Sequence, residues 1–332
     1  MRKILMWGKL APLIGALASI AIASTSMASQ PSWPAKDKPV TLVVPFPAGS
    51  GSDALARMLA KEITDQTGAT MIIENKPGGG TVIGAQQIAK SPNNGNYLLY
   101  TIVVTHTQNP HLFEKLPYDP FKDFTPIIQL VRSATVLTAN KDAPFSQTKE
   151  LIQYAKANPG KVNFGSFSMG STSHLNGEIL KRAAGIDIVH VPYKGTADAS
   201  RALMAGEVQI YFDGTATAVE KWRAGQVKLL GPATDKRLSV LPDLPTLAEQ
   251  GLAGLDIVGW QGIFAPGNTS PELANQIASV FRKAMNTPKI LEYIKNGGNE
   301  VSGAGPQEFA KIVRNDYDRW GDVIRSAGIR LQ

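Results

Sequence analysis

Three times along this sequence a short apolar run gives way to a string of small residues and then to a stretch with helical spacing. Residues 40–44 lead through Pro45-Phe46-Pro47-Ala48-Gly49-Ser50-Gly51-Ser52-Asp53 to Leu55, Met58, Leu59 and Ile63. Residues 162–165 lead through 166–173 to Leu175, Ile179, Leu180 and Ala183, and residues 188–191 lead through Tyr193-Lys194-Gly195 to a helix ending near Ala205. Apolar runs this short suit strands buried on both faces, and the 3.6-residue spacing behind each suits a helix packed on them. Such a chain folds as an α/β protein with parallel pairing, right-handed crossovers and ligand sites at the carboxyl ends of its strands.

Further strand-length runs stand at 71–73, 97–101, 208–212 and 227–230, and amphipathic helices return at 274–285 and 306–327. The two series, 40–130 and 160–235, hold more elements than one compact sheet accommodates. The expected organisation is a pair of lobes, residues 29–131 plus 256–332 and residues 132–255, each a mixed or parallel sheet flanked by helices. Two crossing strands, near 131–138 and 258–265, would form a hinge around a central cleft.

The chain opens on Met1, Arg2 and Lys3, followed by an apolar run from Leu10 to Ile22, and Ser26-Met27-Ala28 supplies small side chains before a cleavage point. Residues 1–28 therefore read as a secretory signal peptide, with the mature start near Ser29. A permanent anchor is the rival reading, but the run falls short of a full span and Gly15 interrupts it. The sequence has no cysteine, which removes disulfides, thiolate metal ligands, a cysteine nucleophile and the cysteine that carries a lipid anchor. Exported yet unanchored, the protein is expected in the periplasm. Lys and Arg number 34 against 27 Asp and Glu; losing Arg2, Lys3 and Lys9 with the signal leaves 31 against 27, a net +4. These charges are scattered singly, so nucleic-acid binding has little support, and the mild basic excess fits either an anionic ligand or an ordinary solvated surface.

Each of the three small-residue loops lets backbone approach a ligand, and the helix behind it offers free N–H groups and a positive dipole end. An anion can be held there without Lys or Arg. Any one such loop is also an ordinary way to join strand to helix; three on facing lobes carry more weight. The candidate ligand-binding set is Phe46, Pro47, Ala48, Gly49, Ser50, Gly51, Ser52 and Asp53 from the first loop and Ser166, Ser168, Met169, Gly170, Ser171, Thr172 and His174 from the second. The third loop adds Tyr193, Lys194 and Gly195, and the strand ends add Thr101, Thr105 and Asp213. Asp213 either accepts from a ligand or caps the helix that follows it; Trp260 either lines the cleft or belongs to the core.

His174 beside Ser171 raises a serine hydrolase as the alternative. The sequence has no Gly-x-Ser-x-Gly, and adjacency along the chain does not place a serine where a histidine can activate it. A histidine that hydrogen-bonds its own loop is the favoured role, and no catalytic residue is assigned. His106, His111 and His190 match no metal spacing. The Gly78-Gly79-Gly80 turn lacks the Gly-x-Gly-x-x-Gly spacing of a dinucleotide site. Neither metal nor cofactor is expected.

Six blocks carry a closer likeness: the first loop, Glu74-Asn75-Lys76-Pro77-Gly78-Gly79-Gly80, Tyr118-Asp119-Pro120-Phe121-Lys122-Asp123-Phe124, Gly170-Ser171-Thr172-Ser173-His174-Leu175, Val191-Pro192-Tyr193-Lys194-Gly195 and Leu241-Pro242-Asp243-Leu244-Pro245-Thr246. In this order they resemble the signature blocks of the Bug receptors, the periplasmic substrate-binding proteins of tripartite tricarboxylate transporters. The resemblance implies a Venus-flytrap fold that closes on one carboxylated ligand, held by the loops matching 47–53 and 166–172, often with ordered water. It also implies a monomeric receptor served by one large and one small integral membrane subunit. Two departures stand out: Gly49-Ser50 replaces the usual Gly-Gly, adding a hydroxyl donor, and Met169 replaces a smaller residue, adding an apolar wall that suits an aromatic or bulky acid. A receptor that signals through another partner is the remaining alternative.

Overall fold

The computed structural model describes residues 33–331; the expected signal peptide and its cleavage point lie outside them. One sheet contains β1 (Val40–Val44), β2 (Met71–Asn75), β3 (Tyr97–Ile102), β4 (Phe124–Ser133), β10 (Gly259–Pro266) and β11 (Glu300–Val301), in the order β11-β4-β10-β3-β1-β2. The other contains β5 (Thr135–Asn140), β6 (Val162–Ser166), β7 (Ile188–Pro192), β8 (Ile210–Gly214) and β9 (Val227–Ala233), in the order β7-β6-β8-β5-β9. The first sheet is flanked by α1 (Gly51–Thr67), α2 (Val82–Ala89), α3 (Asn109–Leu112), α8 (Pro271–Met285), α9 (Pro288–Asn296) and α10 (Pro306–Ala327). The second carries α4 (Thr148–Ala157), α5 (Thr172–Ala184), α6 (Thr196–Ala205) and α7 (Thr215–Arg223). This two-sheet α/β architecture with flanking helices is the one expected.

Pairing is mixed in both sheets. β1 runs parallel to β2 and β3, and β6 parallel to β7 and β8, each joined through helices as right-handed crossovers require. β10 is antiparallel to β3 and β4, and β5 antiparallel to β8 and β9. These two strands arrive from the other sheet rather than through a local helix, so the rule for crossovers does not bind them.

Local chemistry sets the element ends. Val40, Leu42, Val43 and Val44 are at most 1% exposed, so β1 is covered on both faces. In α1 the Ser50 hydroxyl accepts from the Asp53 N–H at 3.2 Å, and Gly68 ends the helix with φ +75°. Pro271 and Pro306 occupy the first turns of α8 and α10, where a missing N–H costs nothing.

The chain leaves the first sheet at Ser133 and enters the second at Thr135, across Ala134 alone. The return runs through 234–258, without a strand, to β10. Arg132 donates to both carboxylate oxygens of Asp235 at 2.8 and 2.9 Å, tying the two passages together. One apolar core lies between β1, β3, β10, α1 and α8, with Leu42, Leu59, Tyr100, Ile263 and Phe281 at its centre. A second is continuous from Leu99, Phe264 and Trp320 on the first-sheet side to Phe164, Leu175 and Phe212 on the other. Trp260 lies in that core, 1% exposed, with its indole N–H donating to Asp316 at 3.0 Å.

Candidate functional site

Where β1 ends, Pro47, Ala48, Gly49 and Gly51 are exposed and Phe46, Ser50 and Ser52 half-buried. Asp53 turns inward: one carboxylate oxygen accepts from the Gly49 N–H at 2.9 Å and from Arg57 at 2.8 Å, the other from Asn75 at 2.8 Å. Burial alone would push this carboxyl up; hydrogen bonds from Arg57, Gly49 and Asn75, with the charge of Arg57, outweigh it and hold the group below its usual value. Asp53 therefore braces the loop from behind. The N–H groups of Gly51 and Ser52, in the first turn of α1, precede the helix's own ladder and face its open end.

The second loop is built the same way. Ser171 caps α5: its hydroxyl accepts from the His174 N–H at 3.4 Å and donates to the Ser168 carbonyl at 2.7 Å. His174 Nδ1 accepts from the Gly170 N–H at 3.0 Å, and its ring stacks on His190 with centroids 3.7 Å apart. Burial lowers His174 to about 4; burial and then the neighbouring His174 lower His190 to about 3, so both rings are neutral near pH 7. This is the loop-bonding role expected of His174. The Ser171 hydroxyl is spent on a carbonyl and a backbone N–H, not on an imidazole, which leaves it unactivated. Ser166 Oγ does lie 2.7 Å from His190 Nε2, but Ser166 is fully buried.

The third loop is stitched to the second: the Tyr193 N–H donates to Ser166 O and the Gly195 N–H to Phe167 O, both at 2.9 Å. Lys194 is exposed beside them, as are Ser168 and Met169, the latter by 46%. Asp213 does not take the capping alternative: α7 has Gly214 at its N-cap with no side-chain cap bond, and Asp213 is paired with Lys221 instead. Its carboxylate, 1% exposed, accepts from the Gly214 N–H at 2.8 Å, Thr217 at 2.6 Å and Lys221 at 2.8 Å. Thr101 and Thr105 are fully buried, in a hydroxyl chain in which Thr105 Oγ1 lies 2.5 Å from Thr101 and 2.7 Å from Thr81. They support the Gly78–Gly80 turn from below, and Asn109 fastens that turn by donating to Gly80 O at 2.8 Å.

Sequence reasoning missed one segment here. After β3 the backbone makes a π turn, Val104–Gln108, buried throughout. Gln108 Nε2 donates to Thr172 Oγ1 at 3.1 Å, reaching from the first sheet to the first residue of α5. Beside it Gly170, with φ +72°, sits against Leu112 and Leu331; a Cβ there would lie 2.9 Å from one and 3.1 Å from the other. The second loop thus meets α3 and the chain end. The first loop bonds within its own side, where the Tyr293 hydroxyl donates to Gly51 O at 3.2 Å.

Solved structures share this fold. That of the periplasmic binding protein BugD is 32% identical, covers 89% of this chain and 99% of its own, and superposes with a TM-score of 0.78. R. palustris Rpa4515 with adipate is 32% identical, with 90% and 99% covered and a TM-score of 0.81. MatC from Rhodopseudomonas palustris with bound malate is 31% identical, with 86% and 99% covered and a TM-score of 0.76. The sequence pattern of the tripartite tricarboxylate transporter family receptor matches residues 55–329. With that match and these folds, the chain belongs to the tripartite tricarboxylate transporter receptor family, a family of periplasmic solute-binding proteins.

Proposed function

We propose that the protein is an exported periplasmic receptor that captures a small carboxylate between its lobes and delivers it to a tripartite membrane transporter with one large and one small integral subunit. The observation that carries this reading is the pair of serine-capped helices, α1 and α5, that open at the carboxyl ends of strands in two different sheets. Each offers unladdered N–H groups and a positive dipole end behind a loop of small residues that is exposed at 47–49 in one case and at 168–169 in the other, which is what a carboxylate needs. Structures of two relatives hold adipate and malate, both carboxylates. In this reading the lobes are 29–131 plus 256–332 and 132–255, they hinge near 131–138 and 258–265, and residues 1–28 are removed on export. The mature protein is monomeric, carries no lipid and has no enzymatic activity.

Contact with ligand falls to positions 47–52, 168–172 and 193–195, of which Pro47, Ala48, Gly49, Gly51, Ser168, Met169 and Lys194 are exposed, while Asp53, Thr101, Thr105, His174 and Asp213 hold those loops in shape. A thermal-shift panel of citrate, dicarboxylates, acidic amino acids, nicotinate and benzene carboxylates tests this. A binding acid at a hundredfold excess over its Kd stabilises the protein by about 2.7 kcal/mol. The exposed Met169 wall favours aromatic or bulky acids, so these should shift the melting point at least as far as aliphatic diacids do. No shift from any acid would overturn the carboxylate reading.

A further inference from the structure

The π turn at Val104–Gln108 lies outside the three loops proposed to hold the ligand, yet its last residue reaches them. Gln108 is fully buried, and its Nε2 is engaged with Thr172 Oγ1 at 3.1 Å, while its other end, Oε1, has no partner among the described residues. Buried amide oxygens are nearly always paired, and single π turns occur frequently at functional sites. Thr172 is the first residue of α5, where backbone N–H groups stand outside the helix ladder. An acceptor lacking a donor therefore stands beside a helix start lacking an acceptor.

We propose that Gln108 is a specificity-determining ligand contact, and that the ligand is a carboxylate bearing an O–H or N–H donor on the adjacent carbon, an α-hydroxy or α-amino acid. This rests on the carboxylate reading above. A carboxylate oxygen takes the N–H groups at the start of α5, and the neighbouring hydroxyl or ammonium donates to Gln108 Oε1. Thr172 Oγ1, by accepting from Nε2, keeps the amide turned so that its oxygen faces that donor. An acid of the same shape without the α-donor leaves Oε1 unpaired once the site is closed to water, and a polar group left unpaired is what makes a site reject an analogue.

The test measures Kd for matched pairs, malate or aspartate against succinate and mandelate against phenylacetate, on the mature protein and on Gln108→Leu, which replaces a buried amide by an apolar side chain of similar size. The wild type should favour the α-substituted member of a pair by about 10- to 100-fold. Gln108→Leu should bind both members alike, with a ligand-free melting point no lower than the wild type's. Equal binding of the members by the wild type overturns the proposal, and so does a preference that persists in Gln108→Leu, which would leave Gln108 as a tie between the two sides of the molecule. If the wild type binds no acid at all, the carboxylate reading falls and this one with it; if it binds acids without regard to the α-substituent, only this one falls.

Discussion

Asp53 and Asp213 stand next to loops proposed to hold an anion, and both have their oxygens filled by protein donors. A sequence cannot reveal this, because the partners that claim them, Asn75 for Asp53 and Lys221 for Asp213, become neighbours only after folding. For Asp53 the depressed pKa means the folded state binds the proton more weakly than the unfolded chain does. Its stabilisation is complete above the ordinary carboxylate range and fades as pH falls through the depressed value. Asp53→Asn should therefore cost about 1–3 kcal/mol at pH 7 and progressively less below pH 4, as chemical denaturation at several pH values will show.

Asp316 has the opposite sign. Burial raises it to about 6, against the Trp260 hydrogen bond and the charges of Arg319 and Arg132. The native state holds this proton more tightly than the unfolded chain, so stability is lost as pH rises from about 4 to 6 and the loss is complete above that. Asp316→Asn keeps an acceptor for the indole N–H and removes the charge. It should stabilise the protein by about 2 kcal/mol at pH 7.5 and by little at pH 4, readable in the same denaturation series.

Among the elements, β1 was legible end to end, and the helix expected at 306–327 is α10 as observed, because burial on both faces and a long 3.6-residue period are written in residue type alone. The π turn was not. Val103-Val104-Thr105-His106-Thr107 is β-branched but for His106 and holds no turn residue, so nothing in residue type announces a turn after 97–101; only packing against α10 and α3 bends it away. The close seating of α5 on β6 was equally hidden, since it depends on Gly177, where a Cβ would lie 2.1 Å from the Phe164 ring. Gly177→Ala should push α5 outward, lower stability by about 1–3 kcal/mol and weaken ligand binding, because the same helix presents the second loop. Melting curves with and without ligand separate the two effects. The π turn and Gly177 also explain why the candidate site was read only in part: its exposed rim is small-residue chemistry that a sequence displays, whereas Gln108, Leu112 and Leu331 reach it through the fold.

At the scale of the molecule, two sheets were legible because the strand-and-helix series outnumber what one sheet can hold, and the mixed pairing was not, because nothing local tells a strand which sheet sends it. The single-residue passage at Ala134 and the Arg132–Asp235 pair make rotation, with repacking of the core shared by the two sides, the expected motion between them. A ligand that bridges the loops should therefore compact the protein in solution scattering. Arg132→Ala should alter that compaction while changing stability by less than about 1 kcal/mol, as expected of a partly exposed ion pair.

The position of β10 also sets an order of assembly. It lies between β3 and β4 in the six-stranded sheet, pairing Gly262 with Thr101 across some 160 residues of chain, and β5 to β9 are all made in between. Closing so long a loop is slow, whereas β5 to β9 can find one another within a hundred residues. In refolding, pulse-labelled amides of β5, β6 and β8 should gain protection before those of β3 and β10. A chain held back in this way remains without half of its framework until its final third has been made.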